Sequence, residues 1–280
     1  DFLFRRESLM SLKKIVIFLC FGLFSSHIVV GAQAEKQMAE DIDIAQILEE
    51  NGVQGTVIIS SLDNQTTYVH NHQRALERLS PASTFKIMNS IIALETGVIA
   101  DQHEIIKWDG QKRDLETWNQ DQNLKSAFKF SCIWFYQELA KKIGKATYLD
   151  YFNRLNYGNK LVGEEVTTFW LKDGGDLRIS PYEQIEFLRQ IYQHQLPIAE
   201  KTYEILKDIM LEETTDNYKI YSKTGAATKD WIGHGWYVGY VTTNDQVWIF
   251  ATNILIDGLK DLPKRKAITM ASLKKKGIIS

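Results

Sequence analysis

Residues 81–99 read PASTFKIMNSIIALETGVI, Pro81 to Ile99, and the fold turns on this stretch. Phe85, Met88, Ile92 and Leu94 to Val98 recur at helical spacing, which predicts a buried helix closing at Gly97. Lys86 lies inside that apolar run, three residues after Ser83. An α-helix turns about every 3.6 residues, so positions i and i+3 share a face and Ser83 sits one turn from Lys86. A lysine held among Phe85, Ile87 and Met88 loses hydration that only its charged form needs, so its pKa falls. A neutral amine beside a serine hydroxyl can take its proton and make it a nucleophile. The helix N-terminus favours negative charge developing at that end.

Working outward, Gly55 to Ser61 and Thr66 to His70 read as a hairpin turning at Asp63-Asn64. From residue 80 to about 207 the signals are mostly helical. Ile133 to Ile143 is a helix closed by Gly144. Ser180 to Tyr192 is another, with Ser180 as N-cap, Pro181 in the first turn and Glu183 in capping-box position. Strands return at Tyr218 to Lys223, His234 to Thr243 and Gln246 to Ile254, the last two joined by the turn TTNDQ. A final helix covers roughly Pro263 to Lys276. Strands at both ends around a helical middle predict an α/β fold of the α+β type. In it, one antiparallel sheet is built from residues 35–79 and 208–280, with the helical region inserted. A site would lie where the two regions meet.

The chain has 280 residues, 44% hydrophobic, with a net charge of -2, enough for a substantial core and without the basic footprint of a nucleic-acid binder. The lysines from Lys264 to Lys276 read as the solvated side of an amphipathic helix. Residues 10–34 have the layout of a signal peptide. Lys13 and Lys14 precede the apolar run Ile15 to Phe24, and Ala32-Gln33-Ala34 offers a cleavage site. Residues 1–9 read as translated upstream sequence. The expected mature protein starts near Glu35, outside the cytoplasm, with no membrane span. It retains one cysteine, Cys132, so no internal disulfide is expected.

Ser-x-x-Lys alone carries little weight. About one is expected by chance in such a chain, and Ser11/Lys14, Ser126/Lys129 and Ser272/Lys275 repeat it. Three companions distinguish Ser83. Lys223-Thr224-Gly225 ends a strand in this reading, placing a cation and a hydroxyl beside a glycine that admits close approach. Ser131-Cys132-Ile133 opens a helix and offers a second hydroxyl, although Ser131 also reads as a plain cap. Tyr157-Gly158-Asn159 sits in a loop and also reads as a simple turn. Ser-x-x-Lys followed by a second serine motif and Lys-Thr-Gly is the order found in penicillin-interacting serine enzymes.

With these motifs the mature chain resembles the class D β-lactamases, the oxacillinases, over nearly its whole length. PASTFKIMNSIIALETGVI is similar to their nucleophile helix, and YGN, FWL, LRIS and KTG…GWYVGY follow in the family's order. The resemblance implies a β-lactamase/transpeptidase-like fold and hydrolysis of β-lactam antibiotics in the bacterial periplasm, hence antibiotic resistance. It implies Ser83 as the acylated nucleophile. It implies Lys86 as general base once carbon dioxide has converted its amine to a carbamate, with Trp170 donating to that carbamate. Ser131 would relay a proton to the β-lactam nitrogen, and Lys223, Thr224 and Arg265 would hold the substrate carboxylate. The N–H groups of Ser83 and Ala226, beside Gly225, would form an oxyanion hole. Trp118, Ile133 and Leu171 would supply apolar walls, and Tyr157, Gly158 and Asn159 would be structural. No metal cofactor is implied, and the chain would act as monomer or homodimer.

Two features depart from the family. Ile133 stands where the family usually has valine, adding a methylene beside the carbamate. The segment Ala226 to Gly235 reads as a short loop carrying Trp231. Rival readings are a penicillin-binding protein or DD-peptidase and a β-lactam sensor domain, either of which would stay acylated. His70-Asn71-His72 resembles a zinc pair only superficially, because no third ligand follows at a suitable spacing. His103, His194 and His234 are scattered. A Ser-His-Asp hydrolase would need a Gly-x-Ser-x-Gly setting, which Ser83 lacks. A binding module would not need so ordered a catalytic set.

Overall fold

A computed structural model describes residues 39–171 and 175–280. The expected signal segment and the residues before it lie outside that range. In chain order the elements are α1 (Ile42–Glu50), β1 (Gly55–Ser61), β2 (Thr67–His70), α2 (His72–Leu76), α3 (Lys86–Glu95), α4 (Leu124–Lys129), α5 (Ile133–Ile143) and α6 (Lys145–Arg154). There follow α7 (Pro181–Tyr192), α8 (Glu200–Met210), β3 (Leu211–Thr214), β4 (Tyr218–Lys229), β5 (Ile232–Thr243), β6 (Val247–Asp257) and α9 (Lys264–Lys275). The strands form one antiparallel sheet in the order β2-β1-β6-β5-β4-β3. N- and C-terminal segments therefore meet at the centre, where Gly55 to Ser61 pair with Ile254 to Trp248.

Both faces of the sheet are covered, which is why its central strands are apolar almost throughout. Along β1, Val57 and Ile59 face α1 and α9 in a core with Ile44, Leu48, Ile268 and Leu273. Ile58, pointing the other way as the two-residue strand period requires, joins the larger core with Ile87, Ile91, Phe135 and Leu188. The charged ends of α1 and α9 are fastened where Lys276 meets Asp41 and Asp43, each at 2.7 Å.

The helices end where local chemistry says they should. Ser180 and Glu183 make the reciprocal capping box at the start of α7. Gly144, at φ 78°, closes α5. Eight consecutive residues of α3, Lys86 to Ala93, are buried, so it is a core helix enclosed on every side.

Three expectations change. The 81–99 helix does not begin at Ser83: Ala82–Phe85 is a 3₁₀ turn, and the α-helix starts at Lys86. Lys223-Thr224-Gly225 does not end a strand but lies in the middle of β4. Ala226 to Gly235 is not a loop. β4 and β5 pair up to Lys229 and Ile232, leaving Asp230 and Trp231, both at positive φ, as a two-residue turn. The sequence hides this turn because neither of its positions is glycine, the residue that usually marks such a reversal. Among the described residues no helix is long and apolar enough to cross a membrane.

Tyr157-Gly158-Asn159 ties the helical region together. Asn159 donates to the Asp176 carbonyl at 2.8 Å and accepts from the Arg178 amide at 2.9 Å. Gly158 has φ +52°, and a Cβ there would lie 2.3 Å from the Arg178 carbonyl oxygen. Gly158→Ala is expected to lower stability by roughly 2–4 kcal/mol through strain and a backbone clash. Chemical unfolding measures this, and a change below about 0.5 kcal/mol would contradict the close approach.

Candidate active site

The 3₁₀ turn brings Ser83 and Lys86 together. A three-residue repeat stacks positions i and i+3, and Lys86 Nζ lies 2.8 Å from Ser83 Oγ. Lys86 is fully buried, while Ser83 is half-buried and reachable. Burial pulls the lysine ammonium down to about 7, and the neighbouring Cys132 opposes this weakly. The amine therefore passes between charged and neutral forms near neutrality. Its Nζ sits 5.2 Å from the centre of the Tyr136 ring, and the Tyr136 hydroxyl is 2.9 Å from Ser90 Oγ.

Ser131 is the second hydroxyl. It does not cap α5, since Cys132 holds the N-cap position; Ser131 sits one residue earlier at φ +54°. Lys223, on β4, donates to Ser131 Oγ at 3.0 Å and to the Thr224 carbonyl at 3.0 Å. Its Nζ lies 5.5 Å from the Phe128 ring centre. Burial, then the nearby charges of Lys86 and Arg265, push its pKa well below the ordinary lysine range, against some support from Glu212.

β4 passes directly under the Ala82–Phe85 turn. A Cβ on Gly225 would lie 3.1 Å from the Pro81 carbonyl oxygen and 3.3 Å from the Ser83 amide nitrogen. Thr224 is half-buried and Ala226 exposed beside it. Arg265 at the start of α9 reaches across β5 and donates to the Gly225 carbonyl at 2.6 Å. Burial lowers its guanidinium to about 10. A Cβ on Gly235 would lie 2.5 Å from Arg265 Cδ, so the glycine leaves the path for that side chain. A cavity of about 270 Å³ opens beside Lys223 and Thr224, bordered by Phe128, Lys129 and Glu212.

Trp170 is fully buried and stacks on Phe85 with ring centres 5.4 Å apart. Among the described residues its indole Nε1–H has no hydrogen-bond partner. A buried unpaired donor is costly and invites a ligand or modification. Leu171 and Ile133 are half-buried nearby in the chain, at the ends of the Trp170 and Ser131 segments. Trp118 is anchored: its indole donates to the Phe130 carbonyl at 2.9 Å, and its own carbonyl accepts from Trp134 at 2.9 Å. Tyr157 lies deeper, its ring 6.1 Å from Phe85 and 4.9 Å from Phe187.

A family model described as penicillin binding protein transpeptidase domain matches residues 53–274. The chain is 44% identical over 230 residues to β-lactamase OXA-48 of Klebsiella pneumoniae, covering 82% of this chain and 86% of that protein. It is 36% identical to the probable β-lactamase YbxI of Bacillus subtilis strain 168, covering 92% and 94%. Among solved structures, FUS-1 (OXA-85), a class D β-lactamase from Fusobacterium nucleatum subsp. polymorphum, superposes with a TM-score of 0.83 at 38% identity, over 86% of this chain and all of that one. The class D β-lactamase YbXI from Nostoc gives 0.81 at 42% identity, over 84% and 98%. The chain belongs to the class D β-lactamases.

In this class D chain some side chains at the site carried no sequence signal. Tyr136 under Lys86 and Phe128 under Lys223 look like ordinary core aromatics in a helical pattern. His234 and Trp236 of β5 both donate to the Ser80 carbonyl, each at 2.9 Å. Only the alternation along β5, which puts residues 234 and 236 on one face, could have linked them. His70 and His72 fall in different elements with different neighbours. His70 ends β2 beside Glu40 at 3.1 Å, and His72 opens α2 against the Tyr182 hydroxyl at 3.2 Å. Among the described residues no three His, Cys, Asp or Glu side chains converge as metal ligands.

Proposed function

We propose that this chain hydrolyses the ring amide of β-lactam antibiotics through an acyl-enzyme on Ser83, with Lys86 as its carbamylated base. Export to the bacterial periplasm would make it a resistance enzyme. The observation that carries this reading is the Lys86 amine, fully buried and 2.8 Å from Ser83 Oγ. A permanently charged lysine there could not accept a proton; one drawn to about 7 can.

The surroundings fit a carbamate. Only a neutral amine adds carbon dioxide, and the Trp170 indole N–H, unpaired among the described residues, is a donor suited to an anion. When present, that group would supply a carboxylate-like base for both acylation and deacylation. The chain's own residues do the rest. Ser83 Oγ attacks the ring carbonyl as its proton leaves, and the Ser83 and Ala226 N–H groups receive the developing oxyanion. The carbonyl–nitrogen bond breaks. The departing nitrogen takes a proton from Ser131 Oγ, which Lys223 Nζ replaces across 3.0 Å. Lys223, Thr224 and Arg265 present cations and a hydroxyl to the substrate carboxylate. Trp118, Ile133 and Leu171 border the site with apolar surface.

Intact-mass measurement after exposure to a penicillin tests this. A transient adduct of one penicillin mass is expected on the parent protein and none on Ser83→Ala. An adduct on Ser83→Ala would overturn the assignment of the nucleophile. An adduct that persists on the parent would favour a sensor or penicillin-binding protein.

A further inference from the structure

Ala82, immediately before Ser83, is buried and holds φ +47°, a conformation that a residue with a Cβ rarely adopts. Such a residue keeps this shape only when its surroundings over-determine it. Here the restraints can be traced. The Ala82 N–H donates to the Trp170 carbonyl at 3.0 Å, and Ser80 Oγ donates to the same oxygen at 3.1 Å. On the other side, the Ser80 carbonyl accepts from Trp236 Nε1 and His234 Nε2, each at 2.9 Å. A carbonyl only accepts, so His234 Nε2 carries the hydrogen.

The sheet makes room for this clamp. His234 pairs with Ala227 and Trp236 with Gly225 across β4. The two β4 residues are small, so the 80–83 turn can lie on that strand while the longer β5 side chains reach it. Trp236 is fully buried and also belongs to the core, whereas His234 is half-buried.

We infer that His234 is a positioning residue for the reaction: through the Ser80 carbonyl it holds the strained Ala82 turn that aims Ser83 Oγ at Lys86. The inference rests on reading Ser83 as the nucleophile. It separates His234 from residues that touch the reacting atoms.

The test compares His234→Gln with His234→Asn, by stopped-flow acylation with a chromogenic cephalosporin and by thermal unfolding. Glutamine carries an N–H at the reach of Nε2; asparagine is too short. Glutamine should stay within about twofold of the parent and asparagine should acylate about tenfold more slowly, the worth of one hydrogen bond. Glycine adopts the left-handed conformation freely. In an Ala82→Gly background the asparagine loss should therefore shrink to less than about threefold. A purely structural role would lower the unfolding temperature with no such dependence on residue 82. Equal acylation rates for parent, Gln and Asn would overturn the inference, as would an undiminished loss in the Ala82→Gly background. Failure of the parent itself to acylate would instead overturn the reading of Ser83.

Discussion

Lys86→Ala is expected to fold, to acylate about 10³-fold more slowly than the parent, and not to turn over, as removal of a general base predicts. Ser83 keeps its place on the 3₁₀ turn in this variant, because the turn is held by backbone and by Ser80 and Ala82, not by the lysine side chain. What is lost is the only amine within hydrogen-bond reach recorded for Ser83 Oγ among the described residues. Stopped-flow acylation and steady-state turnover measure the two effects separately, and normal turnover would dismiss Lys86 as the base. The same variant has a stability signature. Lys86 is drawn from 10.5 to about 7 by burial. Between those values the unfolded chain holds a proton that the folded chain does not. Without carbon dioxide, stability should therefore rise with pH through that window, while below it this group adds no slope and its full burial penalty remains. In Lys86→Ala this part of the slope disappears. The part due to Lys223, whose pKa burial also lowers, remains. Unfolding midpoints at about pH 7 and about pH 9.5 compare the two proteins.

Trp170→Phe is expected to need about 10- to 100-fold more bicarbonate for half-maximal turnover and to deacylate more slowly by a similar factor. That range is the worth of one hydrogen bond to a buried charge. Phenylalanine keeps a ring to stack on Phe85 and removes the indole N–H, which has no partner among the described residues. Trp170→Ala would show the same direction, mixed with the cavity left by a fully buried ring. Unchanged bicarbonate dependence in Trp170→Phe would remove Trp170 from the account and leave its buried donor unexplained.

Most of the sheet was legible because its strands announce themselves, whereas the edge strand β3, Leu211–Thr214, was not read from the sequence. β1 and β6 are near-continuous β-branched and aromatic runs, and the TTNDQ turn marks their neighbour. The limits of α5 and the capping box of α7 followed from Gly144, Ser180 and Glu183, where one residue's chemistry decides an end. The first turn before α3 was less legible. A 3₁₀ turn and an α-helix share the same apolar spacing over four residues, and tertiary restraint at Ala82 decides between them. The far half of β4 was hidden by Gly, Ala, Thr and Lys, weak strand formers that pair because β5 lies beside them. At the site, Ser83, Lys86, Ser131 and Lys223 were found through motif order, and the structure brings their side chains into two hydrogen-bonded pairs. His234, Trp236, Tyr136 and Phe128 were missed because their part depends on what lies across the sheet or under a lysine. No local pattern encodes that.

The central claim is that Lys86 works as a carbamylated base, and bicarbonate tests it most directly. Protein from Glu35 onward, stripped of carbon dioxide, should hydrolyse a chromogenic cephalosporin slowly. Added bicarbonate should raise sustained turnover, most strongly at mildly acid pH, where protonation of Lys86 opposes carbamylation. One equivalent of product followed by silence, with or without bicarbonate, would contradict the account and remove Lys86 from deacylation.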